Sequence, residues 1–202
     1  MATLADETGS SLSPAERVRT AYERIEEAGR PEVWIHLRDE ADAMAEARTV
    51  ERRLAAGEHV PLAGRTLAVK DNIDVAGIPT TAACPAFAYL PDIDADADAR
   101  LRAAGAIVIG KTNLDQFATG LVGTRSPYGA VRDARRLRYV SGGSSSGSAV
   151  AVALGLADLA LGTDTAARDA CPPHSRVSSG SSLRSGSSPR AASCPPAPRS
   201  TA

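Results

Sequence analysis

The first 61 residues carry their hydrophobic side chains at the spacing of amphipathic helices. Residues 13–16 (SPAE) form a capping box with proline at the first helical position, and Gly29 is a stop signal for the helix that begins there. A second helix is predicted over 39–56. The two apolar faces consist of Val18, Tyr22 and Ile25 and of Met44, Ala47, Val50 and Leu54. The pattern therefore predicts an N-terminal helical segment, 13–61, that covers a larger body.

The pattern changes after residue 61, where short apolar runs alternate with helical stretches. Strands are predicted at 66–69, 106–109 and 159–162, and helices at 94–104, 114–121 and 144–154. Such alternation favours an α/β fold with a mixed, mostly parallel β-sheet flanked by helices. We expect this α/β domain to occupy residues 62–166.

Both ends of the chain lack such a pattern. Residues 1–12 are mostly polar, and 167–202 are rich in serine, proline and arginine, with Val177 and Leu183 as the only large aliphatic residues. Segments of this composition cannot bury enough apolar surface to offset their chain entropy, so we expect both ends to be disordered. The arginines of the tail could suggest nucleic-acid binding, but the tail has no aromatic residues on which bases could stack.

Composition excludes several classes of protein. The 202 residues have a formal net charge of −1, which gives no general attraction to nucleic acids or anionic membranes. Without a long apolar run or a signal-peptide pattern, the chain is expected to be cytoplasmic. The three cysteines and three histidines are scattered and match neither a disulfide framework nor a metal-site spacing.

Lysine is rare in this chain, with Lys70 and Lys111 as the only two. Arginine stays charged in proteins, whereas a buried lysine can lose its proton and act as a base. Lys70 follows a predicted buried strand and is a candidate base, with a structural ion pair as the alternative. Asp71 is expected to position Lys70 or to cap a turn. For Lys111 and Asp115 we expect packing, helix-end electrostatics or substrate contact.

A glycine- and serine-rich stretch, 141–147 (SGGSSSG), precedes an apolar run. Glycine allows tight turns, and serines ahead of a helix lie where free backbone N–H groups gather. A flexible linker is the alternative. The apolar run that follows argues against a linker, because a linker has no core to join.

Three segments together resemble the amidase signature family of Ser-Ser-Lys amide hydrolases. They are AVKDNIDVAGIPTTAA from Ala68, LRAAGAIVIGKTNLDQFATG from Leu101, and SGGSSSGSAVAVALGLADLALGTDTA from Ser141. Within the family, ACPAFAYLP from Ala83 and NLDQFATGLVGTRSPYGAV from Asn113 resemble the allophanate hydrolase branch more than the A subunits of glutamyl-tRNA amidotransferases. The resemblance spans 62–166 and implies the N-terminal portion of the family's α/β fold.

The resemblance assigns a role to each candidate residue. Lys70 would be the base, made neutral by burial, and Ser144, on a cis peptide bond, would relay a proton to it from the nucleophilic serine. The family pattern G-T-D-x-x-G-S, read from Gly162, places that nucleophile at Arg168. No metal or organic cofactor is implied. Oxyanion and substrate-binding contacts would come from Ser145, Asp164, Thr165, Ala166 and Ala167.

Arg168 departs from the family pattern where the composition also changes. Arginine has no nucleophilic oxygen, so the 202-residue chain is expected to be inactive. Restoring one base after Ala166 allows the codons to read GSGRVPAAFQGIVGLKP, which is how the family continues. We therefore expect a truncating frameshift or a sequencing error at this point.

Three other interpretations remain open: an amidase of another kind, such as the A subunit of a glutamyl-tRNA amidotransferase, a non-catalytic fragment, and a binding remnant. The expected partners are a small amide substrate and either a urea carboxylase or a second copy of the chain. Neither nucleic acid nor membrane is expected.

Overall fold

The computed structural model describes residues 12–164. The predictions for 1–11 and for 165–202, including the disordered ends, lie outside the described residues. The described chain contains helices α1 (Pro14–Ala28), α2 (Glu40–Ala55), α3 (Asp96–Ala103) and α4 (Ser146–Ala153), and strands β1 (Trp34–Leu37), β2 (Thr66–Lys70), β3 (Ile107–Thr112) and β4 (Leu159–Leu161).

The four strands form one sheet in the order β1-β3-β2-β4. β2 pairs in parallel with both β3 and β4, whereas β1 pairs antiparallel with β3. Every residue of β2 and β3 is buried, which explains the apolar runs 67–69 in β2 and 107–109 in β3. The prediction of a mixed, mostly parallel α/β sheet flanked by helices is confirmed.

The two N-terminal helices pack against each other and on the sheet. Both hydrogen bonds of the predicted capping box are present at Ser13, and α1 ends at Gly29 in the left-handed conformation. One core cluster joins the helices to β3 and contains Val18, Ala43, Ala47, Val50, Val60 and Ile107. Between the helices, β1 joins the same sheet, so residues 34–37 are part of the α/β body.

Two predicted elements differ from the structure. β3 continues to Thr112, because β1 and β2 both pair with its second half; Lys111 therefore lies within the strand. The predicted helix at 114–121 is wrong, since only a single 3₁₀ turn forms there, Gln116–Ala118. Tertiary contacts explain why no α-helix forms there. The buried carboxylate of Asp115 accepts hydrogen bonds from the Gly123 and Arg125 backbone N–H groups, which hold residues 115–125 in a loop.

Within residues 12–164, no helix is long and apolar enough to cross a membrane.

Candidate active site

Lys70 is the last residue of β2 and is fully buried. Its Nζ lies 2.8 Å from Ser144 Oγ, 2.7 Å from Thr163 Oγ1 and 3.2 Å from the Thr163 carbonyl oxygen. Parallel strands end at the same edge of a sheet, so Thr163, just beyond β4, comes beside the end of β2. The predicted pair of Lys70 and Ser144 is therefore brought into direct contact across the sheet edge.

Burial changes the charge of Lys70. Desolvation lowers the pKa of its ammonium from 10.5 to about 8, while the negative charges of Asp115 and Asp164 act in the opposite direction. Lys70 is consequently about half neutral at pH 8, which is the state that a base requires. Desolvation is the cause that the position of Lys70 at the end of a buried strand predicts for a lowered pKa.

Ser144 stands directly after a cis peptide bond, Gly143–Ser144, as the resemblance implied. Its carbonyl oxygen accepts a hydrogen bond of 3.1 Å from the backbone N–H of Asp115. The Asp115 carboxylate in turn accepts from the Gly123 N–H at 3.0 Å and the Arg125 N–H at 2.8 Å. Asp115 thus joins the serine loop to the loop that follows β3, and it acts on Lys70 only through its charge.

Gly143 sits where no larger residue fits. A Cβ at this position would collide with the Asp115 carboxylate and would lie 2.7 Å from the Gly123 backbone nitrogen. Glycine is needed here for close approach of backbone to side chain, as the glycine-rich sequence suggested.

Thr163 and Asn72 are site residues that the sequence interpretation missed. The Thr163 hydroxyl accepts hydrogen bonds from Lys70 and, at 3.1 Å, from Asn72 Nδ2. Ser145, expected at the oxyanion or substrate site, donates its Oγ–H to the Thr163 carbonyl at 3.2 Å and makes no capping hydrogen bond to α4. Thr163 is the second residue of the family pattern read from Gly162 and precedes the predicted candidate Asp164, so its position in the pattern was the available signal.

Asp71 does not position Lys70; it pairs with the second lysine. Lys111 Nζ lies 3.2 Å from Asp71 Oδ1, and both side chains are fully buried. Lys111 also donates to Thr80 Oγ1 at 2.9 Å, and Asp71 Oδ2 accepts from the Thr81 N–H at 3.0 Å. Burial lowers the pKa of Lys111, and Asp71 opposes that effect. Lys111 thus links β3 to the loop after β2.

The remaining predicted positions fall elsewhere. Thr165, Ala166, Ala167 and Arg168 lie outside the described residues, so the structure does not place them.

In the part of the chain that is described, no group of three or more His, Cys, Asp or Glu side chains could hold a metal ion. A cavity of about 330 Å³ is lined by His36, Arg38, Asp42, Ile78 and Arg102 among others, and it contains neither Lys70 nor Ser144.

Comparison with known proteins gives a consistent result. The family model "Amidase" matches residues 16–168. The urea amidolyase of Saccharomyces cerevisiae is 55% identical over 139 residues, which are 69% of this chain and 8% of that protein. The A subunit of the glutamyl-tRNA(Gln) amidotransferase of Symbiobacterium thermophilum is 47% identical over 158 residues, 76% of this chain and 32% of that protein.

Solved structures agree with the sequence matches. Allophanate hydrolase of Kluyveromyces lactis superimposes with a TM-score of 0.68 at 46% identity, over 78% of this chain and 26% of that chain. The chain thus spans 8% of the urea amidolyase and about a third of the amidotransferase protein. With a family model that covers most of its length and the lysine–serine geometry in place, this chain belongs to the amidase family.

Proposed function

We propose that this chain derives from an allophanate hydrolase-like enzyme, which cleaves the carbon–nitrogen amide bond of allophanate to give ammonia and carbon dioxide. The observation that carries the proposal is the 2.8 Å contact between Lys70 Nζ and Ser144 Oγ in a buried site. A lysine whose pKa is lowered to about 8 is a base suited to neutral or mildly alkaline conditions.

The proposed chemistry uses both residues as proton carriers. A nucleophilic serine attacks the amide carbon and gives its proton to Ser144 Oγ, while Ser144 gives its own proton to Lys70 Nζ. The return of the proton releases ammonia from the tetrahedral intermediate, and water then hydrolyses the acyl-enzyme. Thr163 keeps Lys70 in place through the contacts at Oγ1 and the carbonyl oxygen. No step requires a cofactor.

Allophanate is proposed as the substrate on two grounds. The 55% identity to a urea amidolyase and the 46% identity to an allophanate hydrolase structure both favour this branch. The loop that carries Gly123 and Arg125, whose sequence suggested the branch, is attached by Asp115 to the same serine loop as Ser144.

We further propose that the 202-residue chain itself is inactive as an amide hydrolase. The family pattern places the nucleophile at position 168, where arginine stands. The family match also ends at residue 168, close to the change in composition. A one-base frameshift or sequencing error after Ala166 accounts for both features, and resequencing the locus tests it directly.

The functional test compares two proteins. The 202-residue chain and a version with the reading frame restored after Ala166 are assayed for ammonia release from allophanate, glutamine and acetamide. We expect release from allophanate by the restored protein alone, and its loss in the restored protein with Lys70→Met. Equal ammonia release by both proteins would refute the role of position 168, and no release by the restored protein would refute the allophanate proposal.

A function like that of the glutamyl-tRNA amidotransferase A subunit is the second candidate. It is supported by 47% identity over a longer match of 158 residues. Hydrolysis of glutamine in preference to allophanate would favour it. A urea carboxylase, or a second copy of the chain, remains the proposed macromolecular partner for the allophanate branch, and a non-catalytic remnant is the interpretation left if neither substrate is cleaved.

A further inference from the structure

Ser144 and Lys70 form a pair that is chemically complete without a third residue. In the family pattern, the hydroxyl of Ser144 only passes a proton on, yet position 168 offers no hydroxyl to pass it from. Serine–lysine pairs in which lysine serves as the base and serine as the nucleophile are a known solution for acyl transfer. The geometry of the pair decides whether Ser144 can take that second role.

The contacts of neutral Lys70 allow its lone pair to accept a proton from Ser144. A neutral amine has two N–H groups and one lone pair, and Nζ has three polar neighbours. The Thr163 carbonyl can only accept, and the Thr163 hydroxyl has two lone pairs, one for Asn72 Nδ2 and one for Lys70, so Thr163 offers an acceptor to each N–H group of Lys70. The lone pair then faces Ser144, whose O–H can donate to it over 2.8 Å.

Ser144 is also within reach of a small molecule. Lys70 is fully buried, whereas Ser144 is only partly buried, as are its neighbours Gly143 and Ser145. The carbonyl oxygen of Ser144 accepts a hydrogen bond from the Asp115 N–H, which holds the backbone of this residue in place before a substrate arrives. A hydroxyl in contact with a buried base, on a residue that is not itself fully buried, is the arrangement that an accessible nucleophile needs.

We propose that Ser144 of this chain is itself a nucleophile, with Lys70 as its base, and that it is acylated by small esters with good leaving groups. Ser144 Oγ forms a bond to the acyl carbon, the bond from that carbon to the leaving oxygen breaks, and the Oγ proton moves to Lys70 Nζ. With 4-nitrophenyl acetate the products are acetyl-Ser144 and 4-nitrophenolate, and Lys70 then loses its proton to solvent. The proposal uses the geometry of the pair alone and does not depend on allophanate as a substrate.

The test uses the full 202-residue chain and 4-nitrophenyl acetate. We expect a stoichiometric burst of 4-nitrophenolate, with a rate about a hundredfold above that of Ser144→Ala, since a positioned general base contributes at least about that factor. The rate should rise with pH around the pKa of Lys70, about 8, and then level off. Lys70→Met should remove the burst. The matched control is Ser141→Ala, which deletes a hydroxyl of the same loop that is bound to the Val131 carbonyl, and it should keep the burst.

Mass spectrometry identifies the acylated atom. Trypsin releases Ser144 in the peptide 139–168, because no lysine or arginine lies between Arg138 and Arg168. Acetyl on Ser144 in a tandem spectrum supports the proposal. Acetyl on Lys70, on another hydroxyl or on the tail serines, or equal bursts in the chain and in Ser144→Ala, would overturn it. Fluorescence of Trp34, the only tryptophan, verifies that each variant is folded. Because the amide assay uses the restored-frame protein, either proposal can fail without the other.

Discussion

Substituting Lys70 by methionine should remove a specific dependence of stability on pH. Methionine has a similar length and no charge, so Lys70→Met deletes the titrating group while it leaves a side chain in the core. The folded-state pKa of about 8 lies below the ordinary value of 10.5. The unfolded chain therefore binds more protons at this residue between these two pH values, and stability rises as the pH rises.

The magnitude follows from those two pKa values. At pH 7 Lys70 is mostly protonated in both states, and its burial destabilises the folded chain. At pH 9.5 it is neutral in the folded chain and still mostly charged in the unfolded one. Integration of the proton linkage between these points gives a gain of about 2 kcal/mol in the free energy of unfolding. Lys70→Met should lose this gain, so the free energy of unfolding of the parent chain relative to that of Lys70→Met should be about 2 kcal/mol higher at pH 9.5 than at pH 7.

The assay is urea unfolding at pH 7 and pH 9.5, followed by the fluorescence of Trp34, which is 7% exposed in the folded chain. Other titrating groups contribute alike to both proteins, so the difference between the two isolates Lys70. The matched control is Arg52→Met, which removes an exposed positive charge from α2 and should change stability equally at both pH values. The same pH dependence in the chain and in Lys70→Met would refute the argument that burial holds Lys70 near neutrality.

Three further substitutions test other parts of the site and fold by urea unfolding. Lys111→Met leaves the buried Asp71 carboxylate without its cation, so we expect a loss of about 3–5 kcal/mol; a loss below about 1 kcal/mol would contradict the buried ion pair. Gly143→Ala places a methyl group against the Asp115 carboxylate, and we expect a loss of about 1–3 kcal/mol, whereas a neutral effect would show that the loop has room. Asp98 is fully buried with both carboxylate oxygens unpartnered, and desolvation raises its pKa from 3.8 to about 6. At low pH the buried Asp98 is neutral and costs no stability, but the free energy of unfolding falls as the pH rises through 6 and the carboxyl group ionises. Asp98→Asn should therefore be more stable than the parent at pH 7, by up to about 3 kcal/mol, and equal to it near pH 3.

The sequence was sufficient to predict the elements that are specified by residues close to one another in the chain. The capping box at Ser13, the stop at Gly29 and the spacing of apolar residues predict α1 almost to the residue, because each signal acts within one or two turns of the helix. β2 and the first half of β3 were visible as short apolar runs, which are also a local signal. Lys70 could be selected as a base because a lysine in such a run must lose water on folding.

The contacts that make the site were decided by tertiary structure. Lys70 and Thr163 are 93 residues apart, and they meet only because β2 and β4 are parallel neighbours in the sheet. Asp71, adjacent to Lys70 in sequence, turns instead to Lys111, since the parallel pairing of β2 with β3 brings that lysine within 3.2 Å.

The sequence by itself determined α1 to α4, β2, the first half of β3, the Lys70 and Ser144 candidates and the family to which they belong. Only the tertiary structure decided which lysine contacts Ser144 and which is held in an ion pair. Both lysines are buried in strands and both lose solvation, so their local patterns are alike. They differ in their partners: Lys111 meets a buried carboxylate, whereas Lys70 meets hydroxyl groups and a carbonyl. Strand order places those partners, and no local pattern specifies strand order.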